Sequence, residues 1–220
     1  MMVKTRMTPD PITAAPDMGI LDALKLMQEH KVRRLPVLDK DKLIGIVVES
    51  QLLRIAPSPA TTLSVFEMNY LLSKMRIKDV MTPDPVTVTP DTLIEEAAVL
   101  MRENVVSGLP VLDSGKLVGI ITETNIFDAF IDSMGLRSNG ARVSLEMEDK
   151  PGMLAGITKI IRDHGISIIS LATFHQGREK RAIVLRLDTT DVDAVRQDLE
   201  HAGYIVTHVA YMAQWAENNK

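Results

Sequence analysis

The sequence contains no cysteine. That excludes disulfides, zinc–thiolate sites and thiol nucleophiles, and it is the composition expected of a cytosolic chain. Aromatic residues are scarce, 4% of 220 with a single tryptophan. The core must therefore rest on Val, Ile, Leu, Ala and Met, and thirteen methionines provide flexible gap-fillers. No apolar run approaches the length of a membrane span. Residues 1–11 lack the apolar stretch of a signal peptide. A soluble, cytoplasmic protein with no membrane contact is the expectation. A dominant charge is also missing: the net charge is −4 and the isoelectric point about 5.8. A dedicated nucleic-acid binder carries a basic face, so no nucleic-acid partner is expected. The five histidines, His30, His164, His175, His201 and His208, show no metal-ligand spacing. No G-x-x-x-x-G-K loop and no nucleophile elbow is found. The chain reads as a non-enzyme with no metal and no catalytic cofactor.

What is present is a repeat. The segment MTPDPITAAPDMGILDALKLMQEHKVRRLPVLDKDKLIGIVVESQLLR starts at Met7, and MTPDPVTVTPDTLIEEAAVLMRENVVSGLPVLDSGKLVGIITETNIFD starts at Met81. The offset of 74 residues (Met7 to Met81) needs no gap. Shared blocks fall on MTPDP, LPVLD and K-L-x-G-I, which chance does not place in one register. In each repeat a Pro-punctuated start puts Thr13 or Thr87 on a short extended piece. Pro16-Asp17 and Pro90-Asp91 are expected to open helices, with Asp near the orphan N–H groups. Ile20, Leu24 and Met27, and Ile94, Ala98 and Met101, lie at helical spacing. Two strands follow, 35–38 with 43–48 and 109–112 with 117–122, joined by Asp39-Lys40-Asp41 and Asp113-Ser114-Gly115. A last helix closes each repeat. One such unit is small for a stable core, so the pair is expected to share a domain, residues 1–134, with repeats at about 7–54 and 81–128. Leu63, Phe66, Tyr70 and Met75 predict an amphipathic connecting helix over about 62–75.

After Phe130 the repeat stops and Gly135-Leu136-Arg137-Ser138-Asn139-Gly140 has linker composition. Residues 141–210 then read as a second domain: strand 142–147, turn Asp149-Lys150-Pro151-Gly152, a helix ending near His164-Gly165, strands 166–173 and 181–187, helix 191–202 and strand 205–209. The order βαββαβ is that of a ferredoxin-like fold. The fold class is thus mixed α/β and α+β.

The repeats resemble cystathionine-β-synthase (CBS) domains, and the pair resembles a Bateman module, over about Val3 to Phe130. E-D-K-P-G-M-L-A-G-I with H-G-I-S-I-I-S-L resembles an ACT domain over about Arg142 to Val209. The order CBS–CBS–ACT resembles the acetoin utilization protein AcuB family. The resemblance implies a regulatory protein tied to acetoin or acetyl-CoA metabolism, a homodimer, and a regulated protein it does not identify. It also implies an adenine nucleotide (AMP, ADP, ATP or S-adenosylmethionine) held between the repeats as a regulatory ligand.

The family's ligand signature is kept in Gly119-Ile120-Ile121-Thr122-Glu123-Thr124-Asn125, where a strand meets a helix N-terminus that favours an anion. Thr122 would bond the phosphate and the Asn125 carboxamide oxygen the ribose. By the same resemblance Ile12, Thr13 and Val32 line a base pocket, and Arg33 or Arg34 meets a phosphate in one cleft or the other. The first repeat departs from the signature at Val48 and Gln51. In the ACT-like segment the resemblance places an effector, such as an amino acid, at Gly152, Met153, Leu154 and Ser167. Plainer readings of the same residues remain. Thr122 with Asn125 also makes an ordinary helix cap, His30 to Arg34 a solvated face, and the whole chain a ligand-free dimerising scaffold or an enzyme of unrecognised type.

Overall fold

Each Met-Thr-Pro-Asp-Pro segment is too short and too proline-rich to build structure alone, and each finds its partner in the other repeat. The computed structural model describes residues 1–55, 74–177 and 179–212. The expected connecting helix over 62–75 lies outside these residues apart from its last positions.

In the first repeat, strand β1 (Thr8–Pro9) precedes helix α1 (Ile20–Glu29), strands β2 (Arg34–Asp39) and β3 (Lys42–Val48), and helix α2 (Glu49–Ile55). The second repeat follows the same order: β4 (Thr82–Pro83), α3 (Ile94–Asn104), β5 (Gly108–Asp113), β6 (Lys116–Thr122) and α4 (Glu123–Ser133). Hairpins β2–β3 and β5–β6 form as the alternation and turns predict. The leading strands, however, are exchanged. β1 pairs antiparallel with β6, Thr8 opposite Ile120, and β4 pairs with β3, Thr82 opposite Ile46.

Three further features fix the exchange. Val3 is fully buried in the core of the second repeat and Ile77 in the core of the first, each burial worth about 1.5–3 kcal/mol. Gly119 leaves room for Met7: a Cβ there would stand 2.5 Å from the Met7 sulfur, and Gly45 stands in the same relation to Met81. Lys4 pairs with Asp91 at 2.7 Å and Lys78 with Asp17 at 2.6 Å, across the repeats. These two pairs are exposed and contribute little energy, but they repeat the same crossing.

They also correct an expectation. Asp17 and Asp91 do not open helices. α1 and α3 begin later, at Ile20 and Ile94, with Gly19 and Leu93 as caps whose side chains accept no capping bond, and the two aspartates instead face lysines of the other repeat. The buried helix faces are Ile20, Ala23, Met27 and Ile94, Ala97, Met101. Leu24 packs at the edge of its core, and Ala98 is half-buried.

Residues 1–126 form one compact unit and 127–220 the other, the division falling inside α4, earlier than the linker composition suggests. The second unit carries the predicted βαββαβ order: β7 (Gly140–Glu148), α5 (Met153–Asp163), β8 (Ile168–Gln176), β9 (Lys180–Leu187), α6 (Asp193–His201) and β10 (Ile205–Met212). Its antiparallel sheet runs β10-β7-β9-β8. One face, with Val143, Leu145, Ile183 and Leu185, buries Ile157 and Ile161 of α5 and Val195 and Leu199 of α6. Gly156 makes space for Tyr204, whose hydroxyl donates to the Met153 carbonyl at 3.0 Å.

Adding a methyl at Gly119 forces Met7 aside and presses on the Thr8 carbonyl, 3.1 Å from the new carbon. Gly119→Ala is expected to cost about 1–3 kcal/mol, as overpacking does. Met7→Ala in the same chain should recover part of that loss. Urea denaturation of the single and double variants checks it: strictly additive losses would mean that Met7 and Gly119 do not meet.

Candidate functional site

The exchange builds two clefts, each walled by both repeats. In the first, the segment after β1 and the α1–β2 loop of repeat one face the end of β6 of repeat two. Thr8, Asp10, Pro11, Ile12, His30, Lys31, Val32, Arg33, Arg34, Ile120, Thr122 and Thr124 line a cavity of about 440 Å³. Shifted by 74 residues, the same arrangement gives the second cleft, of about 450 Å³, which includes Ile46, Val48, Gln51, Asp84, Val86, Val106, Ser107 and Gly108. Both volumes fall in the ordinary range for a small-molecule site. A larger hollow, about 650 Å³, lies along α3 between Thr87 and Leu112 with Glu95 and Glu96 on its rim. It shares no residue with the clefts.

Of the residues singled out for the nucleotide, the structure brings Ile12, Val32, Arg33, Arg34 and Thr122 to one cavity wall. Thr13 and Asn125 stand off that wall. Thr13 precedes Ala14, which bridges in parallel to Val37 and draws the segment into the core.

Asn125 is turned toward the strand end. Its Oδ1 accepts from the Thr122 N–H at 2.9 Å and from the Thr122 hydroxyl at 2.7 Å, and the Asn125 N–H reaches the Thr122 Oγ at 3.4 Å. The two residues cap α4 reciprocally. The Glu123 N–H donates to the Ser107 carbonyl at 3.2 Å. The N–H groups of Thr122, Glu123 and Asn125 are thus bonded within the protein, while Thr124 lies on the cavity wall. Gln51 does the same work in the first repeat with a longer side chain: its Oε1 accepts from the Val48 N–H at 3.0 Å, and its Nε2 donates to the Thr82 hydroxyl at 3.0 Å.

Positive charge is supplied by side chains instead. Lys31 and Arg33 are exposed in the first cleft and have no ion-pair or hydrogen-bond partner among the described residues. Arg34 lines both clefts. Its Nη1 donates to the Ser107 carbonyl and its Nη2 to the Ser107 hydroxyl at 2.9 Å, while Nε is buried without a partner. Burial, then the repulsion of Arg33, holds its pKa below the usual arginine value, and Glu123 opposes the shift. The hydrophobic walls, Ile12, Val32 and Ile120, face this charged edge, so the cleft suits a flat apolar group bearing an anion.

In the second unit Gly152, with φ +87°, caps α5. Met153 is committed to the core: its N–H donates to the Lys150 carbonyl at 3.4 Å and its carbonyl accepts from Tyr204. Gly152, Leu154 and Ser167 are exposed, and the Ser167 carbonyl accepts from the Asp188 N–H at 3.0 Å. Sequence reasoning missed the Gly156–Tyr204 contact and the role of Ser107. No local pattern signals either, because both depend on which segments meet.

The CBS domain model matches residues 3–58 and 77–132, and the TTHA0829-like ACT domain model matches residues 139–210. Inosine-5'-monophosphate dehydrogenase of Korarchaeum cryptofilum is 31% identical over 173 residues, 73% of this chain and 33% of the enzyme. The chain therefore spans about a third of that relative. Among solved structures, a Vibrio cholerae protein named for acetoin utilization, AcuB, is 30% identical with a TM-score of 0.50, covering 60% of this chain and 90% of that one. Arabidopsis thaliana CBSX2, crystallised in complex with AMP, is 36% identical with a TM-score of 0.49, covering 59% and 96%.

The reciprocal cap predicts a stability cost independent of any ligand. Asn125→Ala should lose about 0.5–2 kcal/mol, the cost of a lost helix cap, and Asn125→Asp should keep most of it. Urea midpoints of the ligand-free proteins decide the matter; an unchanged Asn125→Ala midpoint would mean that the cap is idle.

Proposed function

The chain belongs to the CBS-domain family, and from that premise we propose that it is a non-enzymatic regulator that binds an adenine nucleotide in its first cleft. The observation that carries the reading is one cavity joining an aliphatic wall to unpaired Lys31 and Arg33. The wall suits a purine, and the cations suit phosphate oxygens, Arg33 bidentately. Thr122 and Asn125 supply ribose contacts once the ligand replaces part of their mutual bonding. AMP, ADP, ATP and S-adenosylmethionine are the candidate ligands, and the occupied cleft alters the surface shown to a regulated protein. The likeness to a protein named for acetoin utilization favours a partner in acetoin or acetyl-CoA metabolism. The ACT-like unit takes a small effector, such as an amino acid, at Gly152, Leu154 and Ser167, with Met153 positioning the turn. The cytoplasm is the compartment this role requires.

A second reading, a ligand-free scaffold, is favoured by the internally satisfied Thr122–Asn125 cap, which needs no ligand to complete it. Calorimetry with the four nucleotides separates the two. Binding by at least one, weakened by about 1.5–3 kcal/mol in Arg33→Ala as for a lost charged hydrogen bond, is the expected outcome. No heat and no shift in melting temperature with any of them at millimolar concentration would leave the scaffold.

The sheet of the second unit ends in two open edges, β8 and β10, and open edges are covered or paired in stable proteins. Leu171 and Phe174 on β8 and Ile205 and Tyr211 on β10 are exposed. A homodimer joined through this sheet follows. Light scattering at micromolar protein should give twice the chain mass, and a Phe174→Asp variant should shift it toward the monomer; a monomeric mass for the unmodified chain would end the idea.

A further inference from the structure

The two clefts have nearly equal volume and unequal charge, and one side chain lines both. Under the 74-residue offset Lys31 becomes Val105, Arg33 becomes Ser107 and Arg34 becomes Gly108. The first cleft thus holds three full cations against one carboxylate, Asp10. The second holds one carboxylate, Asp84, and no cation of its own. At the place of Lys31 it presents Val105, 88% exposed and held at φ +54°, a backbone region that a β-branched residue rarely adopts.

Among the described residues, the only positive charge that reaches the second cleft is Arg34, lent from repeat one. It cannot have a counterpart there. A Cβ at Gly108 would collide with the Arg34 Nη1 and stand 3.0 Å from its Cδ. With Arg34 as placed, its guanidinium fills the space beside Gly108. An arginine has five N–H donors; two of Arg34's are spent on Ser107, and the Nε–H is buried and unsatisfied. Two N–H donors of the guanidinium remain for a ligand, and Arg34 lines both clefts.

We infer that Arg34 is a shared phosphate donor that sorts ligands by charge: the first cleft takes a phosphorylated adenine nucleotide, and the second, while the first is filled, takes an adenosine compound without phosphate. The inference rests on the nucleotide reading above. In the first cleft Arg34 acts beside Lys31 and Arg33, so a phosphate there captures it. The second cleft is then left with Asp84, which repels phosphate, and with Ile46, Val86 and Val106, which still suit a purine.

Calorimetry on the full chain tests it with ADP and adenosine as probes. One ADP per chain is expected, with a second weaker by tenfold or more, and adenosine should then bind the ADP-saturated chain once. Arg34→Met, close in volume, should weaken the first ADP by tenfold or more while changing adenosine affinity less than threefold. Two ADP molecules bound within tenfold of each other would overturn the inference and leave the nucleotide reading standing. So would an equal loss of ADP and adenosine in Arg34→Met, which would mark the arginine as a packing element. If neither probe binds, both readings fall. The stepwise constants of the unmodified chain decide the point even where the variant does not fold.

Discussion

Two residues of backbone, Thr8 and Pro9, lie against β6 of the other repeat, and Thr82 and Pro83 lie against β3. Most of what is distinctive in the first unit depends on that exchange. It draws Val3 into the core of repeat two and Ile77 into that of repeat one. It requires glycine at positions 45 and 119, where the methionine sulfurs pass. It also creates the clefts. Ile12 can face Thr122 only because the strand before it is hydrogen-bonded to the strand that ends there. Neither of these two clefts belongs to one repeat; each repeat contributes half of both.

A pseudo-symmetric pair must break its symmetry wherever a side chain approaches the axis, since it would otherwise meet its own copy. Here the break falls on Arg34 and Gly108. A large cation on one side demands the absence of a side chain on the other, and the difference spreads outward to Lys31 against Val105 and Arg33 against Ser107. The polar caps have diverged less. Thr122–Asn125 and Val48–Gln51 both satisfy the N–H at a strand end, but the glutamine reaches on to Thr82. The cleft volume is retained and its chemistry is not.

Much of the fold was legible in the sequence. The ungapped repeat announces itself through MTPDP, LPVLD and K-L-x-G-I, hairpins follow from alternation and turn residues, and the βαββαβ order from the switch of periodicity after Ala141. Local signals and the family resemblance together named seven residues for the first cleft, of which five lie on its wall. They failed where the answer depended on a distant partner. Asp17 and Asp91 look like helix openers until Lys78 and Lys4 are seen to hold them. The start of α4 reads as an anion site, and only the fold shows that Asn125 and Ser107 bond the Thr122 and Glu123 N–H groups. Periodicity reports which face of an element is apolar, and it carries no information about which segment covers that face.

The exchange also orders events in time. During synthesis Thr8 leaves the ribosome well before Ile120, its partner, which is made 112 residues later (120 − 8). Val3 must wait through that interval with no core to enter. Repeat one cannot complete its sheet until β4 is made, and β1 has no sheet to join until β6 is in place. Long-range pairings of this kind slow folding, because the loop between them must close before the contact repays it. Half a chain is therefore an aggregation-prone species in its own right, and the two repeats reach their folded state together or not at all.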